Sequence, residues 1–167
     1  GVARFATRHR LRVLATAGTA RGFRMTPPAR LELISAHEPF ALGPFEITPL
    51  PVPHDAREPC QFLFSDGAVR LAIITDLGRV TPHVVASVQG CDALAVECNH
   101  DEAMLAGGPY PEALKRRVGG GLGHLSNGQA AELLASIDSG RLRHLVALHL
   151  SDHNNRSELA QQALAAV

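Results

Sequence analysis

The chain has 167 residues, of which 46% are hydrophobic, so it is long and apolar enough to bury the core of one domain. Its 16 basic and 16 acidic residues cancel, so bulk charge gives no reason to expect attraction to nucleic acid or to an anionic membrane. No apolar run in the sequence approaches the ~20 residues of a membrane span. Composition therefore predicts a single globular domain over residues 1–167, outside the membrane.

The first half of the chain is typical of short strands. A helix end is expected over residues 1–10, a strand over 11–16, and then a loop or helical turn that closes at prolines 27 and 28. Four β-like runs follow: "LELI" (31–34), "FEITPLPV" (45–52), "QFLFS" (61–65) and "VRLAIIT" (69–75). Because these runs are sequential and the last two are joined by a Ser-Asp-Gly turn, the pattern predicts antiparallel pairing.

From residue 76 onward the pattern changes to helices alternating with strands. The sequence predicts helices over 81–88, 111–118, 127–138 and 156–166, and strands over 93–97 and 144–149. Ser126 with Gln129, and Asn155 with Glu158, have the capping-box spacing that marks a helix start. The alternation predicts a sheet with helices packed on it, which is the α/β class.

Polar side chains follow four of the predicted strands, and they are His54, Asp76, Glu97 and His149. In open sheets, ligands gather beyond the carboxyl ends of strands, because the loops converge there. Asp76 alone reads as a turn acid, but His54 and His149 occupy equivalent positions, and together the three predict a metal site. Mixed nitrogen and oxygen donors suit Zn²⁺ or a similar first-row ion better than Ca²⁺.

Six segments then follow one another as "PHDAREP", "IITDLG", "VECNHD", "GPYPEALKRR", "GHLSNGQAAELL" and "LHLSDHNN". In order and spacing they resemble the motifs of the metallo-β-lactamase superfamily, specifically its YycJ/WalJ-like branch. The resemblance implies an αββα sandwich of mixed α/β (α+β) class that holds two divalent ions, zinc or manganese. It implies a cytoplasmic phosphodiesterase or nuclease, with exonuclease action on DNA, that works through a metal-activated water. It also implies that His54 and His149 are metal ligands and that Asp76 bridges both ions.

The HxHxDH motif that defines the metal site of that superfamily is absent from this sequence. The family places the motif upstream of the piece that matches "GVARFATRH". The resemblance therefore predicts that residues 1–167 are the carboxyl-terminal portion of a longer domain, with the sandwich incomplete at its amino terminus. Four expected ligands would then lie outside this chain, and the uncovered apolar faces predict a chain that aggregates or is partly molten on its own.

His124 is the candidate catalytic side chain besides Asp76, because it precedes the capped helix start at Ser126. It could meet a phosphate at the helix amino terminus or protonate a leaving oxygen, and the resemblance favours this role. Packing beneath a glycine turn is an equal alternative from the pattern alone. A further set could orient ligands or contact substrate, although a hydrogen-bonded loop explains it nearly as well; it comprises Glu97, Asn99, His100, Asp101 and Ser126.

Three functions are compatible with the sequence. The first is a metal-dependent phosphodiesterase or nuclease whose substrate is a phosphodiester such as DNA. The second is a non-catalytic, truncated or degenerate homologue that serves as a binding or structural module. The third is a hydrolase of small esters or thioesters, since one fold hosts many substrates. Cys60, Cys91 and Cys98 lack CxxC spacing, so they predict a reducing compartment, the cytoplasm, and no thiolate zinc site.

Overall fold

The structure is a computed structural model that describes residues 2–23 and 28–167. Its helices are α1 (Val2–His9), α2 (Ala17–Ala20), α3 (Pro82–Val88), α4 (Glu102–Gly107), α5 (Glu112–Val118), α6 (Asn127–Ala135) and α7 (Ser157–Ala165). Its strands are β1 (Val13–Thr16), β2 (Leu31–Ile34), β3 (Phe40–Leu42), β4 (Phe45–Pro51), β5 (Cys60–Ser65), β6 (Arg70–Ile74), β7 (Ala93–Glu97) and β8 (His144–Leu148). This mixture confirms the predicted α/β class.

The strands form two sheets. Strands β1 and β2 pair in parallel as a two-stranded sheet, and the others form a six-stranded sheet in the order β3-β4-β5-β6-β7-β8. Pairing is antiparallel from β3 to β6 and parallel from β6 to β8. The predicted antiparallel pairing of the early strands is therefore confirmed for β4, β5 and β6.

Strand direction brings four carboxyl ends to one edge of the larger sheet. Strand β5 runs opposite to both β4 and β6, so β4 and β6 point the same way, and β7 and β8 run parallel to β6. His54, Asp76 and His149 follow β4, β6 and β8, and Glu97 is the last residue of β7. The four polar side chains therefore meet at the same edge.

Strand β7 lies inside the sheet and carries part of the core. Leu94 and Val96 on β7 are 1% and 0% exposed, and α6 covers the sheet with Ala130 and Leu133. Helix α6 contacts both β7 and α7. Each fully buried leucine or valine contributes about 1.5–3 kcal/mol, so this layer fixes the strand ends that carry the polar side chains.

One of the two predicted helix caps is confirmed. The Ser126 side chain accepts from the Gln129 amide, and the Gln129 side chain accepts from the Ser126 amide, which completes a capping box at α6. The prediction of a capping box at Asn155 was wrong, because α7 begins after Arg156 and has no side-chain cap. The Asn155 side chain instead bonds to Asn127 and to the carbonyl of Cys98 in the interior.

Two elements escaped prediction because they are short. Strand β3 has three residues, too few to show an alternating pattern, and α4 has six residues and ends in a Gly-Gly pair. Pro27, part of the predicted stop, lies outside the described residues. Within the described part of the chain, none of the helices is long and apolar enough to cross a membrane.

Candidate metal centre

Three imidazoles and two carboxylates converge at the sheet edge. The ring centroids of His54 and His124 lie 5.2 Å apart, and those of His124 and His149 lie 5.3 Å apart. Asp76 stands among these rings, since its Oδ1 is 3.8 Å from Nε2 of His54 and 3.5 Å from Nδ1 of His124. These five residues, which include Glu97, form the cluster. His124 lies in the loop between α5 and α6, and the other four lie at strand ends.

The turn after β6 explains the residues that follow Asp76. Asp76 has φ 50°, a left-handed conformation that costs about 1–3 kcal/mol outside glycine and concentrates at functional sites. Leu77 anchors the turn, because its side chain is 0% exposed and its amide donates to Oε2 of Glu97 (2.9 Å). A Cβ on Gly78 would lie 2.5 Å from the backbone of Gly121, so only glycine fits there. His149 is left-handed as well, with φ 57°.

Glu97 is the buried acceptor that orders the cluster. Its side chain is 0% exposed, and its Oε1 accepts from Nδ1 of His124 (2.8 Å) and from Nδ1 of His149 (2.6 Å). Its Oε2 accepts from the Leu77 amide and, at 3.4 Å, from the Leu125 amide. One buried carboxylate therefore fixes two of the imidazoles and the turn that carries Asp76.

Glu97 and His124 stabilise each other's charged forms. Burial alone would raise the pKa of Glu97, but hydrogen bonds from His124 and from the Leu77 amide outweigh it, so the pKa of Glu97 is lowered. The hydrogen bond to Glu97 raises the pKa of His124 against the opposing effect of burial, and the charges of Glu97 and Asp76 add to the rise. The pair therefore favours a carboxylate beside an imidazolium.

The hydrogen bonds at Nδ1 leave Nε2 of each imidazole available. A carbonyl oxygen can only accept, so Nδ1 of His54 donates to the carbonyl of Gly123 (3.0 Å). The ionised Glu97 likewise accepts from Nδ1 of His124 and His149. Whenever a ring is neutral, its lone pair is then on Nε2, and metal-binding histidines are commonly held in this way by a carbonyl or carboxylate.

The donor set fits a divalent transition metal. Donor atoms of Asp76, Glu97, His124 and His149 lie within 4.8 Å of one another, and His54 stands beside this group as a neighbour of Asp76. The 3.8 Å from Asp76 Oδ1 to His54 Nε2 is longer than a hydrogen bond and close to the roughly 3.3–3.6 Å that separates two ligands of one tetrahedral zinc. Because Oε1 of Glu97 already accepts two hydrogen bonds, we take Glu97 as the group that orients the histidines rather than as a ligand.

The other predicted support residues make well-defined structural contacts. Asn99 donates from its side chain to the carbonyl of His149, Asp101 caps α4 at the Met104 amide, and Ser126 caps α6. His100 is 2% exposed, and its carbonyl accepts from the Asn127 amide. Of these four, Asn99 touches a residue of the cluster directly, and a role for any of them with substrate stays a prediction.

Asp55 and Arg117 extend the cluster, and sequence reasoning did not assign Asp55 a role. The Asp55 carboxylate lies 3.6 Å from Nε2 of His54 and accepts from Nε of Arg117 at 2.5 Å. The hydrogen bond from Arg117 is the main reason that the pKa of Asp55 is lowered. Asp55 directly follows His54 in "PHDAREP". Its pairing with Arg117 could not be predicted from the sequence, because 62 positions separate the two residues.

The coupling of His124 to Glu97 predicts a measurable titration. In protein stripped of metal by a chelator, the His124 ring should titrate above its ordinary 6.5, and Glu97→Gln should bring the midpoint down towards that value. Below pH 6.5 the charge on His124 stabilises the fold. This stabilisation is lost as the pH rises through the raised pKa of His124 in the folded protein. The Glu97 carboxylate stabilises the fold at pH values above its ordinary pKa of 4.5. This stabilisation is lost as the pH falls through the lowered pKa of Glu97 in the folded protein.

Histidine NMR titration, with the His124 signal assigned from a His124→Gln variant, measures this directly. His144 offers a matched reference, because it is an exposed histidine at the amino end of β8, away from the cluster. An unchanged His124 midpoint in Glu97→Gln would contradict the coupling.

The fold and this cluster define the class of protein. The model of the beta-lactamase superfamily domain matches residues 1–150, so the chain belongs to that family. The crystal structure of the metallo-beta-lactamase fold protein YhfI from Bacillus subtilis superposes with a TM-score of 0.71 at 17% identity, over 98% of this chain and 63% of that chain. At that identity the likeness shows the fold alone, and it confirms the predicted fold.

Curated relatives place the chain near one branch of the family. It is 37% identical over 125 residues to the exodeoxyribonuclease YycJ of Bacillus anthracis, covering 75% of this chain and 47% of the relative. It is 34% identical over 122 residues to the exodeoxyribonuclease WalJ of Streptococcus pneumoniae serotype 2 (strain D39), covering 73% and 45%. The predicted resemblance to this branch is confirmed, and the chain spans about half the length of these relatives.

Proposed function

We propose that this chain supplies part of a divalent metal centre that hydrolyses phosphodiesters, with DNA as the substrate. The observation that carries the proposal is the Asp76 carboxylate standing among three imidazoles whose Nδ1 atoms are all engaged. The similarity to the YycJ and WalJ exodeoxyribonucleases supports DNA as the polymer. Because the chain spans about half the length of these relatives, the activity of a whole protein is part of this proposal.

His54, Asp76 and His149 are the side chains that would hold metal, with Asp76 as the carboxylate shared between two ions. Zinc fits the mixed nitrogen and oxygen donors, and manganese is the second candidate. A bound divalent ion would supply Lewis-acid assistance by acidifying a water and neutralising charge on the phosphoryl oxygens. Glu97 orients His149, and the Gly123 carbonyl orients His54.

His124 would donate a proton to the leaving oxygen. Its side chain is 24% exposed, and its pKa is raised by the hydrogen bond to Glu97, so the ring holds a proton at neutral pH more readily than a free histidine. A general acid works best when its pKa lies near the working pH. The charge of Asp76 also raises the pKa of His124, because Oδ1 of Asp76 lies 3.5 Å from Nδ1 of that ring.

Leaving-group chemistry tests the role of His124. His124→Gln in the full protein should slow hydrolysis of an oligodeoxynucleotide by about 10²–10⁴-fold, the usual worth of a general acid. It should slow bis(p-nitrophenyl) phosphate much less, because p-nitrophenolate departs without needing a proton. Equal losses on both substrates would contradict the acid role.

A substrate panel separates phosphodiester hydrolysis from the alternatives. Cleavage of DNA that stops with a chelator and returns with zinc or manganese supports the proposal. Preferential turnover of a small carboxylic ester or thioester would support the ester hydrolase instead. No turnover of any of these substrates would favour the non-catalytic module.

The cytoplasm is the compartment that the cysteines support. Cys60, Cys91 and Cys98 are all unpaired, and Cys91 and Cys98 are buried. Burial raises the pKa of the Cys98 thiol to about 11, so it stays protonated and unreactive. Fractionation of the source cells with an antibody to this chain would test the assignment, and recovery outside the cytoplasmic fraction would contradict it.

A further inference from the structure

Two aromatic rings stand beside the metal cluster without taking part in it. Tyr110 and His153 approach edge to face, with ring centroids 5.9 Å apart and an interplanar angle of 73°. Both line a cleft of 320 Å³ that also contains His124 and His149. Tyr110 and His124 line a neighbouring cleft of 210 Å³ as well, so the tyrosine stands where the two clefts meet.

The loops that carry the two rings are packed tightly against each other. A Cβ on Gly108, two residues before Tyr110, would lie 2.6 Å from the side-chain oxygen of Asn154, so the backbone must come this close to Asn154. Asn154 follows His153 and is 0% exposed, and its carbonyl accepts from the Asp101 amide (2.9 Å). This packing brings the two loops, and the rings that they carry, together beside the cluster.

Tyr110 is not part of the hydrophobic core. It is the single tyrosine of the chain, and it is absent from the buried hydrophobic cluster. It is partly exposed, and His153 is exposed. A half-exposed tyrosine with a histidine edge-on beside it offers what single-stranded nucleic acid uses most, an aromatic face on which a base can stack.

The second cleft that Tyr110 lines also contains a cation. Arg117 lines the 210 Å³ cleft, its side chain is 67% exposed, and its Nε donates to Asp55. Among the described residues, the two terminal nitrogens of that guanidinium make no hydrogen bond. Arginine held in this way is suited to a phosphate oxygen.

The size of the clefts limits what can enter. Ligand clefts are typically about 300–1,000 Å³, so 320 Å³ is at the small end of that range. A space of this size is sufficient for one nucleobase. An unpaired base at a strand end is the part of a nucleic acid that such a cleft suits.

We propose that Tyr110 and His153 form a stacking subsite for the single nucleobase next to the scissile phosphate, with Arg117 contacting a phosphate of the same strand. This subsite rests on the proposed phosphodiesterase function. It adds the substrate feature that the site recognises, an unstacked terminal base of any sequence.

Fluorescence binding with a terminal 2-aminopurine tests the subsite. The probes are single-stranded oligodeoxynucleotides with 2-aminopurine at the 5′ or the 3′ end and phosphorothioate linkages that resist cleavage, in zinc-containing buffer. Binding to the wild-type chain should quench the terminal fluorophore of one of the two probes. Tyr110→Leu should weaken binding of that probe about tenfold and remove the quenching, whereas Tyr110→Phe should preserve both.

Two controls keep the test specific. Phe45→Leu removes an exposed aromatic ring at the amino end of β4, away from the clefts, and should leave binding unchanged. An otherwise identical probe with an abasic terminus should bind wild type about as weakly as the normal probe binds Tyr110→Leu.

The outcomes distinguish the subsite from the function on which it rests. Equal affinity for abasic and base-terminated probes, or unchanged quenching in Tyr110→Leu, would overturn the subsite alone. Hydrolysis of bis(p-nitrophenyl) phosphate by the full protein decides the phosphodiesterase proposal separately. Failure of the wild-type chain to bind any probe would overturn the subsite even if that hydrolysis is observed.

Discussion

Asp76→Asn is expected to lower phosphodiester hydrolysis by the full protein about 10³-fold. Asparagine has nearly the same shape and also tolerates the left-handed backbone of φ 50°, so the turn should survive the change. It lacks the negative charge, however, and it can place an amide nitrogen where a metal requires an oxygen donor. Losing several kcal/mol of Lewis-acid assistance corresponds to a change of this size.

Asp66→Asn is the matched control for this prediction. Asp66 also follows a strand, but it is a turn acid that accepts from the amides of Ala68 and Val69 at an exposed site. Its replacement should leave the rate of hydrolysis unchanged. If the Asp76 variant keeps near-normal turnover with metal present, Asp76 is a turn acid too, and the metal assignment fails.

Glu97→Ala should destabilise the fold by about 3–5 kcal/mol, the usual cost of removing one partner from a buried charged pair. Glu97 is 0% exposed and accepts from two imidazoles and two backbone amides. Its loss leaves the buried Leu77 and Leu125 amides without an acceptor and opens a cavity beneath the cluster. The shift of the urea unfolding midpoint of the protein measures the effect.

Two comparisons isolate the cause of that destabilisation. Glu132→Ala removes an exposed glutamate from α6 and should change stability little. Glu97→Gln keeps the volume but replaces one acceptor with a donor, so it should cost less than the alanine variant, about 1–3 kcal/mol. If the two Glu97 variants and Glu132→Ala unfold at the same urea concentration as wild type, the buried network contributes nothing to stability.

The strand-end residues could be predicted because sheet geometry is simple. A strand needs only a short apolar run, and parallel strands bring their carboxyl ends to one edge. That rule is enough to place His54, Asp76 and His149 together from the amino-acid sequence alone. Their role as metal ligands is implied by the family resemblance and remains a proposal.

The contacts that organise the cluster could not be predicted, because they join residues far apart in the chain. Glu97 reaches His124 over 27 positions and His149 over 52. Its function as a shared acceptor depends on how a loop folds over the sheet edge, which no local pattern encodes. The failed cap at Asn155 has the same origin, since a buried partner 28 positions away, Asn127, takes up its side chain.

Metal titration of the purified 167-residue chain tests the central claim most directly. Calorimetry with zinc, checked by elemental analysis for zinc, manganese and iron after dialysis, should find about one tightly held equivalent, because the proposed site has three ligands in this chain. Asp76→Asn and His149→Ala should each abolish tight binding, and Asp66→Asn should not. No zinc binding by wild type, or binding that both site variants retain, would contradict the claim that this edge of the sheet is a metal centre.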